Sequence, residues 1–562
     1  MTSEPQQPDP ALVAQWREVS VHYPFTTTSA VGSVDLSINR GERVLLLGPS
    51  GSGKSTLLLT LTGLVPESIP AKVDGEILLF GERVAARKPW AWAARVAQYF
   101  QDADQTLTGM RVEDEIAFAL ENRAIPPAVI AEKVARAMRR VGLPDAWRKR
   151  RSSTLSGGEK QLVALAATLV QEAEFFIADE PTAHLAPEAA HRLHALLTHG
   201  DPERSILIVD HRLEGLIEFI DRLIVLGRDG TIVAEGHPRI VFRERRDLLM
   251  AQGIWCPVAS ALDGRLEEAD IAPPTAPLSI AEALAHLEPG VASPSQIAQA
   301  RPAVQAFVEA YAPRVAAPSR QSPMLTQLIE ADCAPSLGPV VLRHVNLSIW
   351  EGEILGILGA NGAGKSTLGL CLSGLLPLKA GKRKGAPAGY AFQRPENQFT
   401  AGTVQEELLT ALPDDMPAAL KSNRVAEMLA RWELASLESR HPFELSQGQK
   451  RRLALAALTV SDRWPLLVLD EPTAGLDAWG VARLIEQIES LHDTGRAIAV
   501  ITHDLDFASR LCPRSIVVGE GGILADGPTQ DLMDDAALLR RAGLVESAHR
   551  QAVRWLRRSA PC

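Results

Sequence analysis

The sequence has little of what marks several classes of protein. Its 562 residues include five cysteines, and no CxxC pair or Cys/His cluster occurs. Reduced cysteines in a cytosolic protein are therefore favoured over a disulfide framework or a zinc site. No apolar run approaches the roughly 18–20 residues that span a bilayer, and the polar, Pro-rich start MTSEPQQPDP lacks the pattern of a signal peptide. The net charge of -10 argues against a general nucleic-acid binder, which normally has a basic face.

What the chain does contain is one long sequence unit, present twice. Its length already indicates more than one domain, because a single hydrophobic core stops growing well before this size. GPSGSGKST with Lys54 returns as GANGAGKST with Lys365, an offset of 311 residues. FFIADE with Asp179 returns as LLVLDE with Asp470, an offset of 291. Because the later motifs all keep offsets of 290–292, we predict two homologous domains.

The change in offset predicts a local difference between the two copies. About 19 residues are missing from the second copy between GANGAGKST and AFQRPENQ. The first copy fills this interval with VDGEILLFGERV, whose alternation predicts a hairpin, whereas the second has only the short, basic LKAGKRKGAPAGY. We therefore predict that a peripheral strand pair has been trimmed from the second domain.

The composition also predicts the domain boundaries. We expect an N-terminal tail (1–14), a first domain (15–260), an Ala/Pro-rich linker (261–323), a second domain (324–540) and a C-terminal basic helix (541–562). Short helices on a flexible tether are the expected state of the linker. The basic amphipathic helix could contact a membrane or a partner, or it could dock on its own domain.

Each copy begins with a strand, a Gly-rich loop and a helix, the context in which GxxxxGK[ST] indicates phosphate binding. Glycines let backbone N–H groups approach phosphate oxygens, Lys54 and Lys365 supply charge for the β- and γ-phosphates, and Ser55 and Ser366 supply hydroxyls for Mg²⁺. The predicted phosphate-binding residues are Gly48, Pro49, Ser50, Gly51, Ser52, Gly53, Lys54, Ser55 and Thr56, then Gly359, Ala360, Asn361, Gly362, Ala363, Gly364, Lys365, Ser366 and Thr367.

The apolar runs FFIADE and LLVLDE predict buried strands that end in two carboxylates. Asp179 and Asp470 would hold Mg²⁺ through water. Glu180 and Glu471 follow directly and could polarise the attacking water, a role worth about 10²–10⁴ in rate. The sequence therefore predicts nucleotide hydrolysis.

LSGGEKQ (Leu155–Gln161) and LSQGQKR (Leu445–Arg451) resemble the signature motif of ABC ATPases. Together with the other motifs, the resemblance to this family covers about residues 15–240 and 325–540. The resemblance implies two α/β P-loop NTPase domains, each a mixed-sheet core with a helical signature subdomain, that use ATP and Mg²⁺. It implies catalytic roles for Gln101, Gln393, Glu180, Glu471, His211 and His503. The implied metal-site residues are Ser55, Gln101, Asp179, Ser366, Gln393 and Asp470. The implied signature contacts to ATP come from Ser156, Gly157, Gly158, Ser446, Gln447 and Gly448.

In this family each signature faces the phosphate loop of the opposite domain, so two domains form two composite sites. The two sites are expected to differ. Tyr23 stands where the family stacks an aromatic on adenine, whereas the second copy has Ala334 there. The loop after the catalytic Glu has Ala186 in the first copy and Asp477 in the second, and the family pattern matches Asp477. In this family that loop reaches the phosphate loop of the opposite domain, so the resemblance assigns Ala186 to the second site. We therefore predict that the site with Lys54 and Glu180 is the more reliable one; neutral drift at Ala186 is the alternative.

Three kinds of ABC protein compete: an importer subunit, a soluble two-cassette translation factor of the ABC-F type and a DNA-repair ATPase. A translation factor should carry a long basic hairpin between its cassettes, and DNA-repair cassettes carry zinc motifs or coiled coils, neither of which the sequence shows. YFQDADQTLTGMRVEDEIAFAL, AFQRPENQFTAGTVQEELLTAL and VDHRLEG are similar to stretches of energy-coupling-factor (ECF) importer ATPases.

The ECF resemblance implies peripheral attachment to the cytoplasmic face of the membrane. The chain would bind a transmembrane T component, which holds a substrate-binding S component for a vitamin, a vitamin precursor or a transition-metal ion, with no nucleic acid as partner. The residues expected near the T-component groove are Gln105, Thr108, Gln398 and Thr400.

Overall fold

The computed structural model describes residues 11–24, 26, 28–100, 102–103, 106–155, 157–182, 187–198, 203–316 and 322–560. The chain divides into two compact units. The first consists of Met1–Asp263 and Pro273–Ser279, and the second of Gly264–Ala272 and Ile280–Cys562.

The first unit is built from two sheets and flanking helices. Its strands are β1 (Leu12–His22), β2 (Val31–Asn39), β3 (Arg43–Leu47), β4 (Lys72–Leu79), β5 (Glu82–Arg83), β6 (Val96–Tyr99), β7 (Phe175–Asp179), β8 (Ser205–Val209), β9 (Arg222–Leu226) and β10 (Ile232–Gly236). Its helices are α1 (Lys54–Leu61), α2 (Leu64–Glu67), α3 (Pro89–Trp92), α4 (Val112–Glu121), α5 (Pro127–Val141), α6 (Gly157–Leu169), α7 (Pro187–Thr198), α8 (Pro238–Glu244) and α9 (Arg246–Gln252). The main sheet has the order β10-β9-β3-β8-β7-β6, and the smaller antiparallel sheet has the order β2-β1-β4-β5.

The main sheet gathers the predicted motifs at one edge. Strands β3, β7 and β8 are parallel neighbours whose apolar residues are buried, as expected for central strands covered on both faces. Their carboxyl ends point the same way, which is where ligands bind in such sheets. The phosphate loop follows β3, Asp179 and Glu180 end β7, and His211 follows β8.

The second unit repeats this architecture. Its strands are β11 (Met324–Cys333), β12 (Leu342–Trp350), β13 (Ile354–Leu358), β14 (Ala380–Gly385), β15 (Ala388–Ala391), β16 (Leu466–Asp470), β17 (Ala497–Thr502), β18 (Arg514–Gly519) and β19 (Gly522–Pro528). Helix α10 (Val258–Glu268) crosses the boundary between the two units in sequence. The other helices of the second unit are α11 (Ile280–Ala285), α12 (Pro294–Glu309), α13 (Lys365–Ser373), α14 (Val404–Thr410), α15 (Ala418–Arg431), α16 (Gln447–Thr459), α17 (Ala478–His492), α18 (Leu505–Leu511), α19 (Thr529–Asp534), α20 (Ala536–Arg541) and α21 (His549–Arg558). The main sheet has the order β15-β16-β17-β13-β18-β19, so the predicted fold class, two mixed-sheet α/β domains, is confirmed.

The smaller sheets show what the second copy has lost. The predicted hairpin of the first copy is β4 paired with β5. In the second copy β14 pairs with β11 as β4 pairs with β1, so the prediction that a whole strand pair was trimmed is wrong: one strand remains. The basic stretch AGKRKG lacks an apolar alternation, but lysines are common on strands at a sheet edge, where they discourage pairing with another chain.

The predicted linker is more ordered than its composition suggests. Helix α12 starts with a capping box at Ser293. Trp555 of α21 is fully buried and its Nε1–H donates to the carbonyl of Leu287 at 2.9 Å, while His549 stacks on Tyr311 with ring centroids 4.6 Å apart. The expectation of a flexible tether is therefore wrong for this part of the linker, because its apolar face is covered by α21 from far along the chain. The C-terminal basic helix docks on its own unit.

Within the described part of the chain, none of the helices is both long enough and apolar enough to pass through a bilayer.

Candidate active sites

The first phosphate loop closes around its own lysine. The Nζ of Lys54 donates to the carbonyls of Gly48 at 2.8 Å and Pro49 at 2.9 Å. Gly53 precedes α1 with φ of 87°, and a Cβ there would lie 2.0 Å from the carbonyl oxygen of Ala30, so only glycine fits. The loop therefore presents its backbone and the start of α1 around one ammonium group, an arrangement that suits phosphate oxygens.

The second phosphate loop has the same construction. The Nζ of Lys365 donates to the carbonyls of Gly359 at 2.8 Å and Ala360 at 3.1 Å. A Cβ on Gly359 would lie 2.5 Å from the carbonyl oxygen of Val518. Both loops fold as the motif predicts, and phosphate binding by their individual residues stays a prediction.

The predicted metal carboxylates lie against the loop serines. The Ser55 hydroxyl hydrogen-bonds to Asp179, and the Ser366 hydroxyl hydrogen-bonds to Asp470. Among the atoms of the described residues, the buried Oδ1 of each aspartate has no hydrogen-bond partner. A buried carboxylate oxygen next to a serine hydroxyl is a donor set that Mg²⁺ accepts, so the residues fit the predicted ion.

Burial controls the protonation of the first metal carboxylate. Burial raises the pKa of Asp179 to about 6, although the Ser55 hydrogen bond opposes the shift. Below that pH the carboxyl is protonated and cannot bind a metal ion. In a Glu471→Gln background, which leaves the first site to report, we expect the free Mg²⁺ needed for half-maximal ATP turnover to rise about tenfold from pH 7.5 to 5.0. An unchanged Mg²⁺ requirement between the two pH values would contradict this prediction.

Each site contains a glutamate paired with a histidine. Oε1 of Glu180 lies 3.1 Å from Nε2 of His211, and Oε1 of Glu471 lies 2.9 Å from Nδ1 of His503. Both glutamates have left-handed backbones, with φ of 46° and 44°, a strained conformation that concentrates at functional sites. Burial alone would raise the pKa of each glutamate, but the histidine and the loop lysine outweigh it, so each pKa is lowered and the carboxylates are charged.

The second site has contacts that the sequence analysis missed. Tyr390 donates from its hydroxyl to Oδ2 of Asp470 at 2.7 Å. Lys365 lies 3.4 Å from Oε1 of Glu471, and the buried Arg451 donates to the carbonyl of Gln393 at 2.9 Å. The first copy has Gln98 and Gln161 where Tyr390 and Arg451 stand, so comparing the two copies position by position could have found both residues.

The signature serine of the second unit begins a helix. Ser446 is the N-cap of α16, where its Oγ accepts from the N–H of Gln449 and its own N–H donates to Oε1 of Gln449 at 2.9 Å. Gln447, the unusual signature residue, donates to Oε1 of Glu396 at 3.3 Å. The start of α16 therefore presents backbone N–H groups, as the prediction requires.

The predicted Q-loop residues and the first signature are described unevenly. Gln101 and Ser156 lie outside the described residues, and α6 begins at Gly157. Gln393 is exposed, and within the described part of the chain its side chain makes no hydrogen bond to Asp470 or Ser366. Its metal role stays a prediction.

Three of the residues behind the predicted asymmetry are described, and the asymmetry itself stays a prediction. The hydroxyl of Tyr23 lies 3.1 Å from Oγ1 of Thr56 at the start of α1, and Ala334 is buried. Asp477 caps α17 by accepting from the N–H of Gly480 at 2.7 Å. Its counterpart Ala186 lies outside the described residues; an alanine cannot make this cap, which is worth about 1 kcal/mol.

Comparison with known proteins decides the family. The ABC transporter family matches residues 31–183 and 342–474. The chain is 31% identical to an ABC transporter ATP-binding protein of Methanosarcina acetivorans, over 94% of this chain and 88% of that protein. It belongs to the ABC transporter ATP-binding proteins.

A further curated protein and a solved structure are similar to this ABC protein. A Bacillus subtilis protein, named as the HMP/thiamine import ATP-binding protein YkoD, is 32% identical over 94% of each chain. The solved structure of cbiO1 from Clostridium perfringens, described as part of the complex cbiONQ, shows 27% identity and a TM-score of 0.37, covering 43% of this chain and 95% of that one. ABC ATPases hydrolyse ATP with Mg²⁺, and each cassette here carries a phosphate loop, a buried aspartate and a Glu–His pair.

Proposed function

We propose that this ABC protein is the ATP-hydrolysing subunit of an ECF-type importer for a vitamin, a vitamin precursor or a transition-metal ion. It would bind a transmembrane T component that holds a substrate-binding S component, at the cytoplasmic face of the membrane. Two things support this: the ECF-like stretches around the Q-loops and switch histidines, and a relative named for HMP/thiamine import that aligns over 94% of this chain.

In the proposed reaction each loop lysine binds the β- and γ-phosphates. Each loop serine with the nearby aspartate would hold Mg²⁺, which would neutralise charge on the phosphates. Glu180 and Glu471 accept a proton from the attacking water, while His211 and His503 hold these glutamates in place. The attack releases phosphate and leaves ADP. Each ATP would lie between the phosphate loop of one cassette and the signature helix of the other, whose N-terminus favours anions.

The observation that carries the importer proposal is a groove in the second unit. It has a volume of about 1060 Å³ and is lined by Leu420, Trp464 and Tyr390, together with Gln398, which the ECF resemblance leads us to expect near a T-component groove. Because Tyr390 also donates to Asp470, an occupant of the groove would touch a side chain that holds the metal carboxylate. A cytosolic helix of the T component, presenting an apolar side, suits a groove of this size.

A charge placed in the groove should therefore disrupt docking and leave hydrolysis intact. Leu420 is 56% exposed and lines the groove, so Leu420→Glu should reduce the membrane proteins that co-purify with the chain at least about tenfold. ATP turnover of the isolated chain should stay within about twofold. Leu337→Glu is the matched control, because Leu337 is fully exposed on the same unit and does not line the groove.

The same purification separates the importer from a ribosome-associated ATPase. The full chain, expressed with its genomic neighbours and extracted in mild detergent, should bring down a polytopic membrane protein. Co-sedimentation with ribosomes and no membrane partner would overturn the importer proposal. The packing of α11 and α12 under α21 disfavours the ribosomal alternative, because the linker is the segment that would have to reach into the ribosome.

A further inference from the structure

A buried polar cluster lies beside the first Glu–His pair and has no part in the reaction proposed above. Asp210 and His194 are both buried. The hydroxyl of Thr182 donates to Asp210 at 2.7 Å, and Nε2 of His194 lies 3.4 Å from Oδ2 of Asp210. A charged carboxylate this deep in a protein is costly unless it is paired and hydrogen-bonded, so the cluster has to act as a unit.

The Asp210 carboxylate connects the two chain segments that carry the catalytic pair. Asp210 directly precedes His211, and its Oδ1 accepts from the N–H of Arg212 at 3.0 Å, which fixes the turn on which His211 stands. Thr182 stands two residues after Glu180, so the same carboxylate also holds the segment that follows the base. One side chain therefore restrains both partners of the 3.1 Å contact between Glu180 and His211.

The second unit provides an internal comparison. Aligning the two copies places Thr502 opposite Asp210 and Ile485 opposite His194, so the acid and its histidine are replaced together by neutral residues. Thr502 keeps the turn, accepting from the N–H of Asp504 at 3.0 Å, but its hydroxyl lies 3.3 Å from Oε2 of Glu471 itself. In the second site the Thr502 hydroxyl therefore contacts Glu471 directly. In the first site Asp210 acts instead through Thr182, two residues after Glu180.

The charge of Asp210 is consistent with this positioning role. Burial alone would raise the pKa of Asp210, but the hydrogen bonds from His194 and Thr182 outweigh it, so the pKa is lowered and the carboxyl is charged. A charged Asp210 accepts hydrogen bonds from both the Thr182 hydroxyl and the Arg212 N–H, which is the contact set that the positioning role requires.

We infer that Asp210, held by His194 and Thr182, is a positioning residue of the first site that aligns Glu180 with His211 for water activation. The cluster is specific to this site, because the second unit aligns its glutamate through Thr502. The inference does not depend on what the protein transports, since it concerns hydrolysis alone.

The test exchanges the residues of the first cluster for those of the second unit. All variants are made in the full-length Glu471→Gln background, so that ATP turnover reports the first site. His194→Ile and Asp210→Thr are introduced singly and together. Each single variant should lower kcat at least about tenfold with KM for ATP within about twofold, because misplacing a base by about 1 Å can cost up to 10²-fold. The double variant, which removes charge and partner together, should recover to within about threefold of the parent. Ile485→Val, at the matching helix position of the second unit, is the control.

The outcomes separate positioning from simple packing. Folded single variants that keep kcat within twofold would overturn the inference, as would a folded double variant that is as slow as the singles. If the single variants do not fold, the double variant alone tests the inference. ATP turnover within about threefold of the parent supports the inference, and a tenfold loss refutes it. Purification with membrane partners is unaffected by these variants, so failure here and failure of the importer proposal are distinguishable.

Discussion

Replacing Glu180 with glutamine should remove most of the chain's ATP turnover, whereas Glu471→Gln should leave most of it. A glutamine cannot accept the proton of the attacking water, and loss of a positioned base costs about 10²–10⁴ at its own site. We expect the second site to be slower because it has Ala334 where the first site has Tyr23, and because Ala186 departs from the family pattern that Asp477 keeps. Whole-chain turnover should therefore fall about tenfold or more in Glu180→Gln and less than about twofold in Glu471→Gln.

Steady-state phosphate release at saturating ATP measures both variants, and binding of a fluorescent ATP analogue confirms that they still load nucleotide. Glu174→Gln is the matched control, because Glu174 precedes the same strand, β7, at the end away from the site and pairs with Arg40 and Arg95. Equal losses in the two catalytic variants would refute the proposed asymmetry.

Replacing Trp555 with alanine should destabilise the second unit by about 3–5 kcal/mol. The Trp555 side chain is fully buried against the linker helices, so its removal leaves a large cavity and an unpaired carbonyl on Leu287. Urea unfolding of the full chain, followed by circular dichroism, should show the second-unit transition at a lower denaturant concentration while the first-unit transition stays in place.

Trp90→Ala is the control for this prediction, since Trp90 is 75% exposed on α3 of the first unit and should change the free energy of unfolding by less than about 0.5 kcal/mol. The loss of unfolding free energy in Trp555→Phe should lie between those of Trp90→Ala and Trp555→Ala, because phenylalanine keeps part of the apolar volume and loses the hydrogen bond. A second-unit transition that is unmoved in Trp555→Ala would show that α21 is dispensable for the stability of the unit.

Local signals in the sequence predicted the parts of the structure that depend on local geometry. The phosphate loops, the buried strands that end in Asp179 and Asp470, and the histidines after the next strand all follow from glycine spacing and apolar runs. The sheet order then brings these motifs together without further information, because parallel strands share one carboxyl edge.

The features that were missed depend on contacts between distant residues. The polar side chains of β14 predict a trimmed region, although its backbone still pairs with β11. Tyr390 and Asp210 have no motif of their own, and their roles follow from which side chains the fold places next to Asp470 and Thr182. The prediction of a flexible linker was wrong for the same reason. Ala300, Val304 and Phe307 are buried in a core that includes α21, a helix about 250 residues further along the chain.

The packing of α21 on the linker also has a consequence for synthesis on the ribosome. The bond from Trp555 to Leu287 joins residues 268 positions apart, so the linker helices emerge well before the helix that covers them. At about 5–20 residues per second the wait is on the order of tens of seconds. The first unit can complete its sheet in that time, while the apolar face of α12 stays uncovered and open to chaperones or to misassembly. Shortening the chain before α21 should therefore lower the yield of the second unit and spare the first.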